Sequence, residues 1–251
     1  MSKTVQSMVM IVVAALVLQM SFTDVHLRYV KADLQPYLVA SGILLLLVGV
    51  VTLGYEMWQS LFVAEAKPSA SDAACCGHSE NGSGPRSAWL LVLPIAALVL
   101  IAPPTLGSYA ASKSGTATSV AKQQNPRSIY PALPEGDVVP LSMLDYAARA
   151  TFERGASLAG REVKLVGFIS PREGGGVYLT RMMMMCCAAD SRPIKVGMSG
   201  DVGKLKSDQW VEVRGQYVNK FDTDPANGEE IPYIKVSSLK RVEQPENPYD
   251  I

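Results

Sequence analysis

Two pairs of adjacent cysteines carry most of the chemistry that the residue types of this chain allow. There are four cysteines and two histidines in 251 residues. Cys75-Cys76-Gly77-His78 lies in the polar stretch SASDAACCGHSENGSGP. Two thiolates and an imidazole, with Asp72 or Glu80 nearby, make a candidate site for zinc or another soft metal ion. A second His/Cys pair is missing, so a closed set of ligands is not assembled. A flexible loop with incidental thiols is the competing reading. Cys186-Cys187 sits in RMMMMCCAAD, which runs from Arg181 to Asp190. If this segment is a strand, Met182, Met184 and Cys186 share one face and Met183, Met185 and Cys187 the other. One row can fill a core, as methionine does adaptably. The other row then needs a cover: a partner, a helix or a lipid surface. Thioethers and thiols together also suit Cu(I) or another soft cation.

Neither cysteine pair forms a C-x-x-C redox motif, and a disulfide between neighbours strains its small ring. No catalytic constellation can be assembled. Both histidines, His26 and His78, precede the C-terminal region, which excludes a Ser/His/Asp or Cys/His arrangement there. The segment from Phe221 to Glu230 departs from calcium-loop spacing and reads as a solvated hairpin loop. Gly174 to Gly176 lack the helix and Lys-Ser/Thr of a phosphate loop. The chain is therefore read as a non-enzyme.

The elements that must position these residues are of two kinds. Three charge-free apolar stretches predict spans at 4–23, 36–55 and 87–110, each about the 20 residues that a bilayer core requires. Residues 1–112 are thus read as a membrane region, with the Cys/His loop at 56–86. The first stretch follows Lys3 but offers no A-x-A-like cleavage site, so it is read as a retained span. Pro103-Pro104 marks the helix exit of the third. Charge decides orientation weakly. Lys3, Lys67 and Arg86 fall on one side, against His26, Arg28, Lys31, Lys113, Lys122 and Arg127 on the other; Asp24 and Asp33 fall there too, which leaves a small margin for a cytoplasmic C-terminal side.

Residues 113–140 are rich in Ser, Thr, Gln and Pro and predict an extended linker. Residues 141–251 predict a small all-β domain. An amphipathic helix from Ser142 as N-cap to Gly155 comes first. Strands follow at 162–170, 177–187, 193–198, 210–218 and 231–242, with a helical turn at 201–206. Gly174 to Gly176 and Asn227-Gly228 punctuate hairpins. Gly167 and Gly215 fall within strands, where a barrel bends. This is an OB-like five-stranded barrel with one preceding helix; another small barrel or a sandwich is the alternative. The domain balances 15 basic against 15 acidic residues and the whole chain 23 against 23, so no basic excess argues for nucleic acid as a partner.

With its loop, its spans, GREVKLVGFIS, RMMMMCCAAD and the tail from Pro245 to Tyr249, the chain resembles the YcgQ-like family of uncharacterised bacterial membrane proteins described as permease subunits. The resemblance covers almost the whole chain. It implies a larger multi-span permease as partner and a multi-pass protein of the bacterial cell membrane. It also implies an extracytoplasmic C-terminal domain, against the charge count. Arg181, Cys186, Cys187 and Asp190 become motif residues for a partner or ligand. Some relatives carry a longer His-rich loop where this chain has Cys75, Cys76 and His78, which weakens a metal role there. The expected function is an accessory subunit of a two-component permease, acting by partner contact or ligand capture. A stand-alone membrane-anchored protein responsive to metal or redox state is the alternative.

Overall fold

The computed structural model describes residues 3–62, 105–120 and 130–250. The candidate metal loop with Cys75, Cys76 and His78 lies outside the described residues. The chain divides into two compact units, one holding the N-terminal helices, the other made of Leu27–Ala32 with Thr105–Ile251.

In the first unit, α1 (Lys3–Phe22) and α2 (Gln35–Phe62) are apolar on nearly every face. They run antiparallel, because Ser7 Oγ donates to Thr52 Oγ1 at 3.1 Å and Gly49 faces Ile11. A Cβ at position 49 would stand 2.8 Å from the Ile11 side chain, so the missing side chain lets the helices approach. Leu44, Leu47, Val51, Trp58 and Leu61 stay exposed. Among the described residues one helix, Ala32–Gln59, is long and apolar enough to cross a membrane, and only 11% of its apolar window is buried. Near an N-terminus, that length and composition belong equally to a membrane span and to a signal sequence.

The expectation of three spans is thus reduced to one among the described residues. The apolar stretch of α1, Gln6–Phe22, is shorter, and most of the third stretch is outside the described residues. Its end is not span-like. Residues Ser108–Lys113 form a short helix, α3, that belongs to the second unit, where Ala111 is fully buried. Its first turn is held by Asp208, whose carboxylate accepts from the Ser108 amide at 2.6 Å and hydroxyl at 2.8 Å.

The second unit is built on alternating apolar residues. β1 (Val138–Pro140) is followed by α4 (Met143–Phe152), and then by β2 (Glu162–Pro171), β3 (Val177–Met183), β4 (Arg192–Ser199), β5 (Trp210–Thr223) and β6 (Glu230–Arg241). β2 pairs antiparallel with β5 along Glu162–Phe168 and with β3 along Phe168–Pro171. β3 pairs with β4, β4 lies parallel to β6, and β6 pairs with β5. The circuit β2–β3–β4–β6–β5–β2 closes a five-stranded barrel, as expected. The two in-strand glycines serve the closure. A Cβ at Gly167 would stand 2.6 Å from the Thr180 carbonyl oxygen. At Gly215 it would strike the Lys235 carbonyl, beside a register shift between Arg214 and Gly215.

Val163, Leu165, Leu179, Ile194, Val196, Val211, Val213 and Ile234 point inward and are fully buried. Each such side chain contributes about 1.5–3 kcal/mol relative to exposure. α4 adds Met143, Tyr146, Ala147 and Ala150 to this core. Its N-cap is as predicted: the Ser142 hydroxyl accepts from the Asp145 amide at 3.0 Å. Gly155 adopts φ +74° and its amide donates to the Arg149 carbonyl at 3.0 Å, ending the helix. The expected helical turn at 201–206 is absent; the chain crosses there with a bend at Lys204. Part of the predicted linker joins the barrel instead of spanning freely: Thr116, Ala117 and Thr118 are buried, and β1 pairs parallel with β2. A last short strand, β7 (Tyr249–Asp250), lies parallel to β3.

One buried ion pair ties the β5–β6 hairpin to β4. Lys195 Nζ lies 2.8 Å from Asp224 Oδ2, and Asp224 has no exposed surface. The loop from Phe221 to Glu230, expected to be solvated, therefore has a buried carboxylate at its heart. Burial alone would raise the Asp224 carboxyl, but Lys195 and the amides of Ala226 and Thr116 hold it below the ordinary range. A depressed folded-state pKa means that the unfolded chain takes up the proton first as pH falls. The contribution of Asp224 is thus complete above about pH 3.9 and lost as pH falls through its lower folded value. Lys195→Met should destabilise the barrel by about 3–5 kcal/mol by leaving a carboxylate unpaired, and Lys195→Met/Asp224→Leu should recover most of that loss. Denaturation of the detergent-solubilised chain measures both; a double variant no better than the single one would reject the electrostatic origin.

Candidate thiol–carboxylate site

The ladder of β3 ends at Met183, short of the expected strand end at residue 187. Up to that point both faces of β3 are covered. Met183 enters the barrel core, while Met182 and Met184 pack with Ala111, Phe168 and Tyr249 in a second, smaller cluster. The row expected to need a partner or lipid is thus covered by the chain's own α3 and tail. Met185, 52% exposed, is the first to turn outward.

Beyond it the backbone bonds to a carboxylate in place of a strand. Asp190 ends a short turn, Ala188–Asp190. Its Oδ1 accepts from the Met185 amide at 3.0 Å, and its Oδ2 accepts from the Cys186 amide at 2.9 Å and the Cys186 thiol at 2.7 Å. The Cys187 amide reaches Oδ2 at 3.4 Å. These donors take residues 185–187 out of the sheet, which is why the expected alternation fails there. The two Sγ atoms and an Asp190 oxygen all lie within 4.8 Å of one another. Cys186 is exposed and Cys187 half-buried.

The electrostatics follow from this crowding. Burial alone would raise the Asp190 carboxyl, but the Cys186 thiol and the amides of Met185, Cys186 and Cys187 hold it below its ordinary range. The Cys186 thiol is pushed up to about 11, first by its bond to Asp190 and then by its bond to Cys187. The proton therefore stays on sulfur, directed at a carboxylate. A cation that displaced it would meet two sulfurs and an oxygen, the mixed donor set of a zinc-class ion.

A second segment, between two short 3-10 helices, holds the same loop from the other side. Residues 27–32, which follow α1 and precede α2, belong to the barrel unit. Val30 forms an antiparallel bridge with Cys187. The Lys31 amide donates to the Cys186 carbonyl at 3.2 Å, and the Ala188 amide to the Tyr29 carbonyl at 2.8 Å. The Tyr249 hydroxyl donates to the Arg28 carbonyl at 3.0 Å.

Of the four motif residues, the structure brings together Cys186, Cys187 and Asp190. Arg181 stands apart from them. Its Nη2 donates to the Asn247 carbonyl at 2.8 Å and its guanidinium lies over the Trp210 ring, 5.9 Å from the centroid. Burial lowers its pKa, while Asp250 opposes that shift. Arg181 secures the tail that covers Met182 and Met184. A polar cleft of about 320 Å³ elsewhere on the barrel is lined by Arg172, Tyr178, Lys195, Asp222 and Asp224. Sequence reasoning missed it, because Lys195 and Asp224 look like ordinary surface charges. Its cations are already paired within the fold, Arg172 with Asp222 at 2.9 Å and Lys195 with Asp224. That marks it as internal support.

If the Asp190 carboxylate restrains the Cys186 thiol, Asp190→Asn should return that thiol toward its ordinary pKa. Thiolate would then be more abundant at pH 8. After the lower nucleophilicity of the more acidic thiol is allowed for, alkylation by iodoacetamide should quicken about tenfold. An unchanged rate at Cys186, read by mass spectrometry, would show that the bond does not govern the thiol.

Comparison with known proteins places this geometry in a family. No curated protein and no solved structure matches the chain. Residues 5–117 match the DUF1980 N-terminal domain. Residues 151–250, with the barrel, the thiol pair and Asp190, match the DUF1980 C-terminal domain. The two matches together take in well over half of the chain, which belongs to the DUF1980 family.

Proposed function

We propose that this chain is a membrane-anchored accessory subunit whose barrel captures a zinc-class metal ion at Cys186, Cys187 and Asp190 for a larger multi-span permease. The observation that carries the reading is the convergence of two thiols and a carboxylate at an exposed turn. A structural zinc site closes with four protein ligands, whereas three leave a position open for exchange. An open, exposed position suits capture and release. The carboxylate favours a zinc-class ion over Cu(I), which prefers sulfur throughout.

Anchorage is supported by the exposed apolar surface of α2. A topological constraint supports multiple crossings. Residues 27–32 lie against 186–188, so this connector and the barrel occupy one side of any membrane. If α2 crosses it, one further crossing must bring the chain back to that side, and the part of the third apolar stretch that precedes Thr105 would supply it. The resemblance to YcgQ-like permease subunits supports an extracytoplasmic barrel in a bacterial cell membrane and a permease as partner. The rival redox reading is weaker, because a thiol hydrogen-bonded to a carboxylate and pushed up to about 11 is a poor nucleophile at neutral pH.

Cobalt(II), which reports thiolate ligation by its charge-transfer absorbance, tests the capture step on the detergent-solubilised chain. One saturable equivalent is expected. Cys186→Ser or Cys187→Ser should weaken binding about a hundredfold, the share of one ligand in a zinc-class site. Spectra unchanged by either substitution would reject the site. The subunit role is tested separately, by affinity purification from bacterial membranes and mass spectrometry. Recovery of a multi-span permease near one-to-one is expected, and recovery of the chain alone would count against it.

A further inference from the structure

The backbone around the two cysteines is satisfied from two directions, and one of them is the segment that joins the helices. Through Asp190, the turn itself supplies partners to the Cys186 and Cys187 amides and to the Cys187 carbonyl, which accepts from the Asp190 amide at 3.1 Å. The connector supplies the rest. The Cys186 carbonyl accepts from Lys31, and the Ala188 amide donates to Tyr29. Without the connector, two backbone groups beside the thiols would lose their partners.

This matters because neighbouring residues in extended backbone project to opposite faces. Cys187 has φ −149° and ψ 169°, an extended conformation. Turning two adjacent thiols toward one ion requires the backbone to be held in a particular shape between Met185 and Asp190. Asp190, which now holds three amides, would also have to give an oxygen to the metal. The connector is a restraint on this loop that a metal does not compete for.

We propose that metal occupancy at Cys186, Cys187 and Asp190 and docking of residues 27–32 on the barrel are linked, each strengthening the other. The inference rests on the capture reading above and adds its regulation. A docked connector pre-organises the thiols, and a bound ion fixes the loop on which the connector lies. Because residues 27–32 run directly between α1 and α2, the state of the metal site is passed to the chain between two apolar helices. By linkage, the factor by which docking tightens the metal equals the factor by which the metal tightens docking.

The test uses the detergent-solubilised full chain and cobalt(II). Lys31→Pro removes the amide donor to Cys186, whereas Lys31→Ala keeps it. Cobalt affinity should fall about tenfold in Lys31→Pro relative to Lys31→Ala, within the usual range of coupling between sites. Tyr249→Phe, which removes the donor to the Arg28 carbonyl, should weaken cobalt in the same direction and serves if Lys31→Pro lowers the melting temperature of the barrel. In wild type, cobalt should slow hydrogen exchange at the Lys31 and Ala188 amides by a similar factor. Equal cobalt affinity in wild type, Lys31→Pro and Tyr249→Phe would overturn the linkage while leaving capture standing. Exchange at these amides indifferent to cobalt would do the same. A wild-type chain that takes up no cobalt would overturn capture and linkage together.

Discussion

β2 must serve two neighbours, and the rest of the second unit depends on that constraint. Its first part pairs with β5 and its last part with β3, and this double pairing closes the sheet on itself. Closure needs bends, and they fall where a side chain would collide with a neighbouring carbonyl, at Gly167 and Gly215. It also sets where β3 runs. That strand must stay in the ladder as far as Met183, facing Arg192 on β4 and Asp250 on β7, and is released immediately afterwards. The thiol pair emerges at the point of release. Its position is therefore a product of barrel closure rather than of local preference.

Release from a sheet leaves backbone groups without partners, and the chain answers at Cys186 with a single carboxylate. Asp190 accepts from three successive amides and a thiol, a concentration of donors that keeps it ionised beside two sulfurs. The same arrangement explains why the methionines divide as they do. Met182, Met183 and Met184 sit in or next to the ladder with cover on both sides. Met185, the first residue turned by Asp190, is half exposed.

Much of this was legible in the sequence, for physical reasons. Strand alternation, the Ser142 cap and the Asn227-Gly228 turn are local signals, and each marks its element within a few residues. The two glycines inside strands foretold bends because little else explains glycine there. The cysteine pair and Asp190 could be singled out by type, but not their convergence, which depends on the strand ending at Met183. A single polar residue three positions after a cysteine pair does not announce that it will gather three amides. Lys195 and Asp224 were illegible because a charge that is buried and paired has the same letter as one in water. The role of residues 27–32 was hidden most deeply. Their sequence is that of a short loop between apolar helices, and their partners lie more than 150 positions away.

Backbone released from a sheet presents unpaired amides and carbonyls, and proteins cover them. Here the cover over Cys186 to Ala188 is a peptide anchored at both ends by apolar helices. A cover taken from a free tail would report nothing on release, since its loss changes no other part of the chain. A cover taken from the turn of a helical hairpin cannot be withdrawn without moving residues continuous with both helices. The use of this segment gives the thiol site a covalent path toward the apolar half of the chain. It also explains why a barrel with its own complete core should use residues 27–32 as part of its compact unit.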